Sequence, residues 1–114
     1  MIRVNWDVEE LTALIDLYMR EKHGEISDLD AELEELSKVL NRRADCMGIT
    51  HDEKYRNMNG MKLMYQNVDY IATSGDRGMS AYSEAMRIVY KMSQLCPEAF
   101  QLILKEFNTR YRLS

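Results

Sequence analysis

The fold is decided by residues 7–18, which read Asp7-Val8-Glu9-Glu10-Leu11-Thr12-Ala13-Leu14-Ile15-Asp16-Leu17-Tyr18. Apolar side chains recur there at the three- and four-residue spacing of one helix face, and they are Val8, Leu11, Leu14, Ile15 and Tyr18. Asp7 and Glu10 form the D-x-x-E pattern of a capping box. We therefore predict a first helix over about residues 7–23, with Gly24 as its stop signal. Trp6, a large apolar residue just before the cap, is expected to pack against the first turns.

Four more helices are expected downstream. The second begins near Ser27 or Asp28 and ends before Gly48, and the third covers about residues 59–70 after a loop at 48–58. The fourth is capped by Ser80 and continues to about Leu95, and Pro97 suits the first position of a fifth. Each of these helices has an apolar stripe that is expected to face inward. The stripes are Leu29, Leu33, Leu36, Val39, Leu40 and Met47 in the second helix; Met61, Met64, Tyr65 and Val68 in the third; Tyr82, Ala85, Met86, Val89 and Tyr90 in the fourth; and Phe100, Ile103, Leu104, Phe107 and Tyr111 in the fifth.

Composition supports the same fold class. The chain has 114 residues, 46% of them hydrophobic, with one Pro and five Gly, and so few helix breakers favour long helices. We predict a single all-α domain over residues 1–114, a compact bundle of about five helices in which the second and third could form a helix-turn-helix-like pair. No apolar run approaches the roughly 20 residues of a membrane span, and no export signal is visible, so the expected compartment is the cytoplasm.

Charge is unevenly distributed along the chain. Residues 1–37 carry eleven carboxylates against three Lys and Arg, a net of −8, whereas residues 38–114 carry twelve Lys and Arg against eight carboxylates, a net of +4. The acidic run at the start of the second helix suits the helix dipole and is expected to be a solvated face. An acidic protein can still bind nucleic acid if its basic groups converge on one surface.

The sequence contains no pattern that specifies catalysis. Cys46, His51, His23 and Cys96 are too loosely spaced for a structural zinc site, which normally shows paired ligands such as C-x-x-C. Asp52-Glu53-Lys54 is similar to the acidic and lysine residues of metal-dependent nucleases but lacks a further carboxylate on a strand. We therefore expect no catalytic residues, no metal and no cofactor, and we expect Cys46 and Cys96 to be unbonded and reduced.

One stretch, residues 38–67, combines cations with amide side chains and is called the basic segment below. Cations bind phosphates, while Asn and Gln side chains can contact base edges or phosphate oxygens. The candidate nucleic-acid-binding residues in this segment are Lys38, Arg42, Arg43, Lys54, Arg56, Asn57, Asn59 and Lys62. A solvated basic helix end followed by an asparagine cap would account for the same residues without any ligand.

Three blocks of the chain also form a recognisable pattern. They are Trp6-x-x-Glu9-Glu10-Leu11-x-x-Leu14-x-Asp16-Leu17-Tyr18; Glu35-Leu36-Ser37-x-x-Leu40-Asn41-Arg42; and Tyr55-Arg56-Asn57-Met58-Asn59-Gly60-Met61, followed by Lys62-Leu63 and by Asn67. Together they resemble the N-terminal head domain of McrA-type HNH restriction endonucleases, in which the third block commonly reads Phe-Arg-Asn-Pro-Asn-Gly. Tyr55 and Met58 depart from that consensus.

The resemblance implies an accessory role and not cleavage. An HNH nuclease module needs several His and Asn ligands around a metal, and residues 71–114 contain no His. What the resemblance implies is therefore a non-catalytic module that binds or senses double-stranded DNA, including modified DNA, in a restriction or phage-defence system. The alternative is a protein-interaction module, either a subunit that docks to a nuclease or a phage-encoded inhibitor of defence.

Arg56 discriminates between these interpretations. At the start of the third helix it could grip a phosphate with two N–H groups beside the free amides of the helix end. It could equally bridge to an acidic residue of the first helix, such as Asp16. Clustered Lys38, Arg42, Arg56 and Lys62 would favour DNA, whereas an exposed Met/Tyr patch beside the acidic helix would favour a protein partner.

Overall fold

The computed structural model describes residues 5–112. Five helices follow one another: α1 (Val8–Lys22), α2 (Leu29–Cys46), α3 (Met58–Ala72), α4 (Glu84–Leu95) and α5 (Pro97–Tyr111), with no strand among the described residues. The predicted all-α bundle of five helices is confirmed. None of these helices is long and apolar enough to cross a membrane.

Helix α1 lies at the centre of the bundle and packs against all four other helices. Its capping box forms as expected, with the Glu10 amide donating to Asp7 Oδ1 at 3.1 Å and the Asp7 amide donating to Glu10 Oε1 at 3.1 Å. Gly24 ends the helix in a left-handed conformation at φ +75°. Burial extends around most of the helix, because Thr12, Ala13 and Leu17 are as buried as the predicted stripe.

The core is built from the stripes of the surrounding helices. Its buried members outside α1 are Leu33, Leu36, Val39, Leu40, Ala44, Met61, Tyr65, Val68, Met86, Val89, Phe100 and Phe107. Each large apolar side chain removed from water contributes about 1.5–3 kcal/mol to the free energy of unfolding. Trp6 is half-buried against this core, as the sequence predicted.

Several boundary and burial predictions were wrong. Val8 and Met47 are about half exposed, since they lie at the first turn of α1 and just past the end of α2, where no helix covers them. Tyr82 and Ala85 are exposed as well. Ser80 is not the cap of α4: the cap is Ser83, whose hydroxyl accepts from the Met86 amide at 3.1 Å.

The late start of α4 has a tertiary cause. The Met79 amide donates to the carbonyl of Gln66 at 3.1 Å, and Asn67 Nδ2 donates to the carbonyl of Ala81 at 3.0 Å. These bonds hold residues 79–81 along the side of α3. The chain can therefore turn into helix only after them, at Ser83.

The close approach of this link to α3 depends on Gly78. A Cβ atom there would lie 2.2 Å from the Gln66 carbonyl oxygen and 2.7 Å from the Tyr70 amide nitrogen, both backbone atoms, and φ is +85°. Gly24 has a similar φ of +75° but open space around it. The two glycines therefore share a left-handed backbone, which would strain any other residue, and they differ in the space available to a Cβ atom.

We expect Gly78→Ala to lower the free energy of unfolding by about 3 kcal/mol or more, because the backbone of α3 would have to move. Gly24→Ala, the matched control, should cost only about 1–2 kcal/mol, the price of a left-handed non-glycine residue. Urea denaturation of both variants measures the difference. Equal losses would show that residues 78–81 are not packed against α3 as described.

Candidate functional site

The arginine of the most specific sequence block is turned inward. Arg56 is 9% exposed, and its guanidinium grips Glu10 with Nε to Oε2 at 2.7 Å and Nη2 to Oε1 at 2.9 Å. Nη2 also donates to the carbonyl of Asn5 at 3.2 Å. The side chain thus forms a two-pronged bridge to α1, as the structural interpretation expected, although the partner is Glu10 and not Asp16.

Two aromatic rings enclose this ion pair. The Arg56 guanidinium lies 4.8 Å from the ring centroid of Trp6 and 4.3 Å from that of Tyr55. Arg56 itself has a left-handed backbone, φ +49°, which a non-glycine residue keeps only where its surroundings hold it. Rings, ion pair and backbone bonds together fix the end of the link between α2 and α3.

A second arginine of the basic segment is also buried and paired with carboxylates at the start of α1. Arg43 is 3% exposed, and its Nη2 donates to Asp7 Oδ2 at 2.7 Å and to Glu9 Oε1 at 2.9 Å. Burial works against the charge on Arg43, but these hydrogen bonds outweigh it and raise the pKa of Arg43 above its usual range. Arg43 and Arg56 are therefore brought together around the acidic start of α1, facing carboxylates and not solvent.

Among the candidate residues of the basic segment, the asparagines and lysines are divided between capping and solvent. Asn57 caps α3, its Oδ1 accepting from the Gly60 amide at 2.9 Å, whereas Asn59 is exposed. Lys38 lies 3.7 Å from Glu34 and Lys62 lies 3.9 Å from Asp30, so each has a carboxylate beside it.

Arg42 and Lys54 are the remaining exposed cations of the segment. Arg42 Nη1 donates to the carbonyl of Tyr111 at 2.9 Å, and Lys54 projects from the link between α2 and α3. That link spans residues 47–57 and is longer than the three or four residues of a helix-turn-helix. The DNA-binding role of the eight candidate residues stays a prediction; they are Lys38, Arg42, Arg43, Lys54, Arg56, Asn57, Asn59 and Lys62.

The three sequence blocks that carry the resemblance meet in one packed unit. Ser37 and Asn41 of the second block donate to the backbone carbonyls of Arg56 and Tyr55, Asn41 at 3.1 Å. The third block supplies Arg56 to Glu10 of the first. The spacing of these residues is thus explained by packing among α1, α2 and the start of α3.

A different surface presents apolar groups to solvent. On the outward side of α4, Ile88 is 55% exposed and Leu95 is 70% exposed. They line an open depression of about 330 Å³ with Arg87, Lys91, Met92 and Cys96. Arg87 also lines a neighbouring depression of about 370 Å³, together with Tyr70, Ile71, Ser74, Gly75 and Tyr82. We call these two shallow depressions, which share Arg87 in their linings, the α4 groove.

The α4 groove has an aromatic end and a cationic middle. Tyr70 and Tyr82 stack there with their ring centroids 5.8 Å apart. Arg87 pairs with Glu84 one turn earlier, whereas Lys91 forms no ion pair within residues 5–112. This surface was not predicted from the sequence. The available signal was that Ile88 and Leu95 lie outside the inward stripe of Met86 and Val89.

No metal-binding group is apparent in the described part of the chain, since no three or more of its His, Cys, Asp and Glu side chains converge. Cys46 and Cys96 are both free and exposed. Comparison with protein-family models, with curated proteins and with solved structures gave no match. The site must therefore be interpreted from its own geometry.

Arg56→Ala should lower the free energy of unfolding by about 3–5 kcal/mol, because it leaves the Glu10 carboxylate buried without its partner. The matched control is Arg110→Ala. Arg110 is an exposed arginine 3.4 Å from Glu9, and its loss should cost less than about 1 kcal/mol. Chemical denaturation gives both values, and a similar small loss in the two variants would contradict the structural role of Arg56.

His51 makes the stability of the α2–α3 link dependent on pH. Its Nε2 lies 2.8 Å from Asp45 Oδ1, and this hydrogen bond, with help from the Asp52 carbonyl, raises the pKa of His51 above its usual value. A histidine whose pKa is higher in the folded state than in the unfolded state stabilises the fold. This stabilisation is complete at pH values below the unfolded-state pKa of about 6.5, and it is lost as the pH rises through the folded-state pKa.

The wild-type protein should therefore be more stable than His51→Gln. The difference between their free energies of unfolding should be larger at pH 5.5 than at pH 8.5. Asp45→Asn, which removes the main partner, should reduce the pH dependence, because the contact of His51 with the Asp52 carbonyl remains. Urea melts of the three proteins at the two pH values test this. A difference that grows towards pH 8.5 would have the wrong sign and would contradict the His51–Asp45 pair.

Proposed function

We propose that this chain is a non-catalytic module that docks on another protein through the α4 groove. The observation that supports it is the exposure of Ile88 and Leu95 on the outward side of α4. Their side chains lie two turns apart on the same face of one helix, which gives a partner two apolar contact points with Lys91 between them. Exposed apolar groups of this kind, rimmed by polar ones, are typical of protein-interaction sites.

The positions of the cations favour a protein partner over DNA. DNA affinity comes mainly from cations that reach phosphates. Arg43 and Arg56 are buried against the carboxylates of α1, and Lys38 and Lys62 lie beside Glu34 and Asp30. The apolar side chains that support docking, Ile88 and Leu95, lie on α4, whereas the sequence-based expectation for a protein partner was a Met/Tyr patch beside the acidic helix.

The resemblance to McrA-type head domains provides the proposed setting. In a restriction or phage-defence system, the partner would be a nuclease subunit or, for a phage-encoded inhibitor, the defence protein that it blocks. The cytoplasm is the corresponding compartment. The packing role of Arg56 is consistent with this setting, because a head domain needs its fold whichever surface makes the contact.

The proposal is tested with a photo-cross-linking amino acid placed at Leu95 in cells that produce the protein. We expect a discrete cross-linked product at Leu95 that is lost when Ile88 is changed to Glu. Met47 is the matched control: it is also about half exposed, but it lies past the end of α2, outside the α4 groove, and should give no product.

DNA binding by the same protein is measured by gel mobility with methylated and unmethylated duplexes at two salt concentrations. We expect no specific shift. A salt-dependent shift that disappears in a Lys54→Gln, Lys62→Gln double variant, without a cross-link at Leu95, would overturn the docking proposal in favour of a DNA-binding module.

A further inference from the structure

The chemistry of the α4 groove restricts what can occupy it, and this inference rests on the proposed docking function. We propose that the groove binds an acidic, amphipathic helix of the partner protein. Such a helix would present two apolar side chains two turns apart, with carboxylates between them.

The spacing of the two apolar groups fits a helix better than a strand. Ile88 and Leu95 are seven residues apart on α4, which places them about 10.5 Å apart along the helix axis at 1.5 Å per residue. A partner helix lying alongside matches this distance with side chains at positions i and i+7. An extended strand repeats the same face every second residue, at about 6.7 or 13 Å, and cannot match both positions at once.

A positive charge lies between those two apolar positions. Lys91 lies three residues after Ile88 and four before Leu95, so it shares their face. It has no ion pair within residues 5–112. Among the side chains that line the α4 groove, Arg87 and Lys91 are the only charged ones. A carboxylate midway along the partner helix would meet Lys91, whereas a cation there would be repelled.

Glu84 limits how much Arg87 contributes. Its carboxylate pairs with the Arg87 guanidinium and lowers the attraction of that guanidinium for a second anion. Arg87 itself lines both depressions, one of them together with the stacked rings of Tyr70 and Tyr82. Arg87 is therefore a partly neutralised cation, and Lys91 is the main group that would donate to the carboxylates of an acidic partner.

Three synthetic peptides, each held helical by a hydrocarbon bridge on its far face, test the proposal. The first has leucines at i and i+7 with glutamates at i+3 and i+4, the second has lysines in place of the glutamates, and the third has serines in place of the leucines. At low salt we expect the glutamate peptide to bind about five- to tenfold more tightly than the lysine peptide. The serine peptide should not bind measurably.

Variants of the protein sharpen the test. Lys91→Glu should invert the preference between the two charged peptides, and Glu84→Gln should strengthen binding of the glutamate peptide about twofold or more by releasing Arg87. Leu95→Ser should abolish binding. Leu102→Ser, at a leucine of similar exposure on α5 that does not line the groove, should leave it unchanged.

Equal affinity for the glutamate and lysine peptides, or no binding of either, would overturn the acidic-helix proposal. If the cross-link at Leu95 were still present, the docking function would survive and only the partner's chemistry would be wrong. Charge-dependent peptide binding without a cross-link in cells would have the opposite meaning: the groove has the proposed selectivity, but docking is not shown to be the function.

Discussion

The buried carboxylate of Glu10 is the group on which one end of this molecule depends. Only 1% of Glu10 is exposed, and an ionised carboxylate is retained in such a place only when it is paired and hydrogen-bonded. Arg56 donates two N–H groups to the Glu10 carboxylate, and the Asp7 amide donates a third. The same pairing therefore closes the capping box of α1 and fixes the end of the α2–α3 link.

This arrangement determines which charges remain available for function. Arg43 and Arg56 neutralise the acidic start of α1, so two of the cations that would attract a polyanion are turned into the fold. The outward face of α4 has the opposite character, with Ile88 and Leu95 facing solvent beside Lys91, which forms no ion pair among residues 5–112. These two features are the observations on which the proposed docking function rests.

The packing of the three sequence blocks changes what their pattern means. Glu10, Asn41 and Arg56 come from different blocks and lie in one hydrogen-bonded unit. A pattern of this kind can identify a shared fold without identifying a shared ligand, because its polar residues satisfy one another. The surface proposed for function contains none of them.

The sequence by itself determined the local structure: five helices, the capping box at Asp7, the stop at Gly24, Pro97 at the start of α5, and most of the core. Helical periodicity and capping depend on residues three or four apart, so the chain displays them directly. Tertiary structure decided the rest. Glu10 and not Asp16 received Arg56, residues 79–81 were bonded to α3 and delayed α4 to Ser83, and Ile88 and Leu95 were left uncovered. Each of these outcomes depends on which groups from distant parts of the chain meet, and periodicity within one helix carries no information about that.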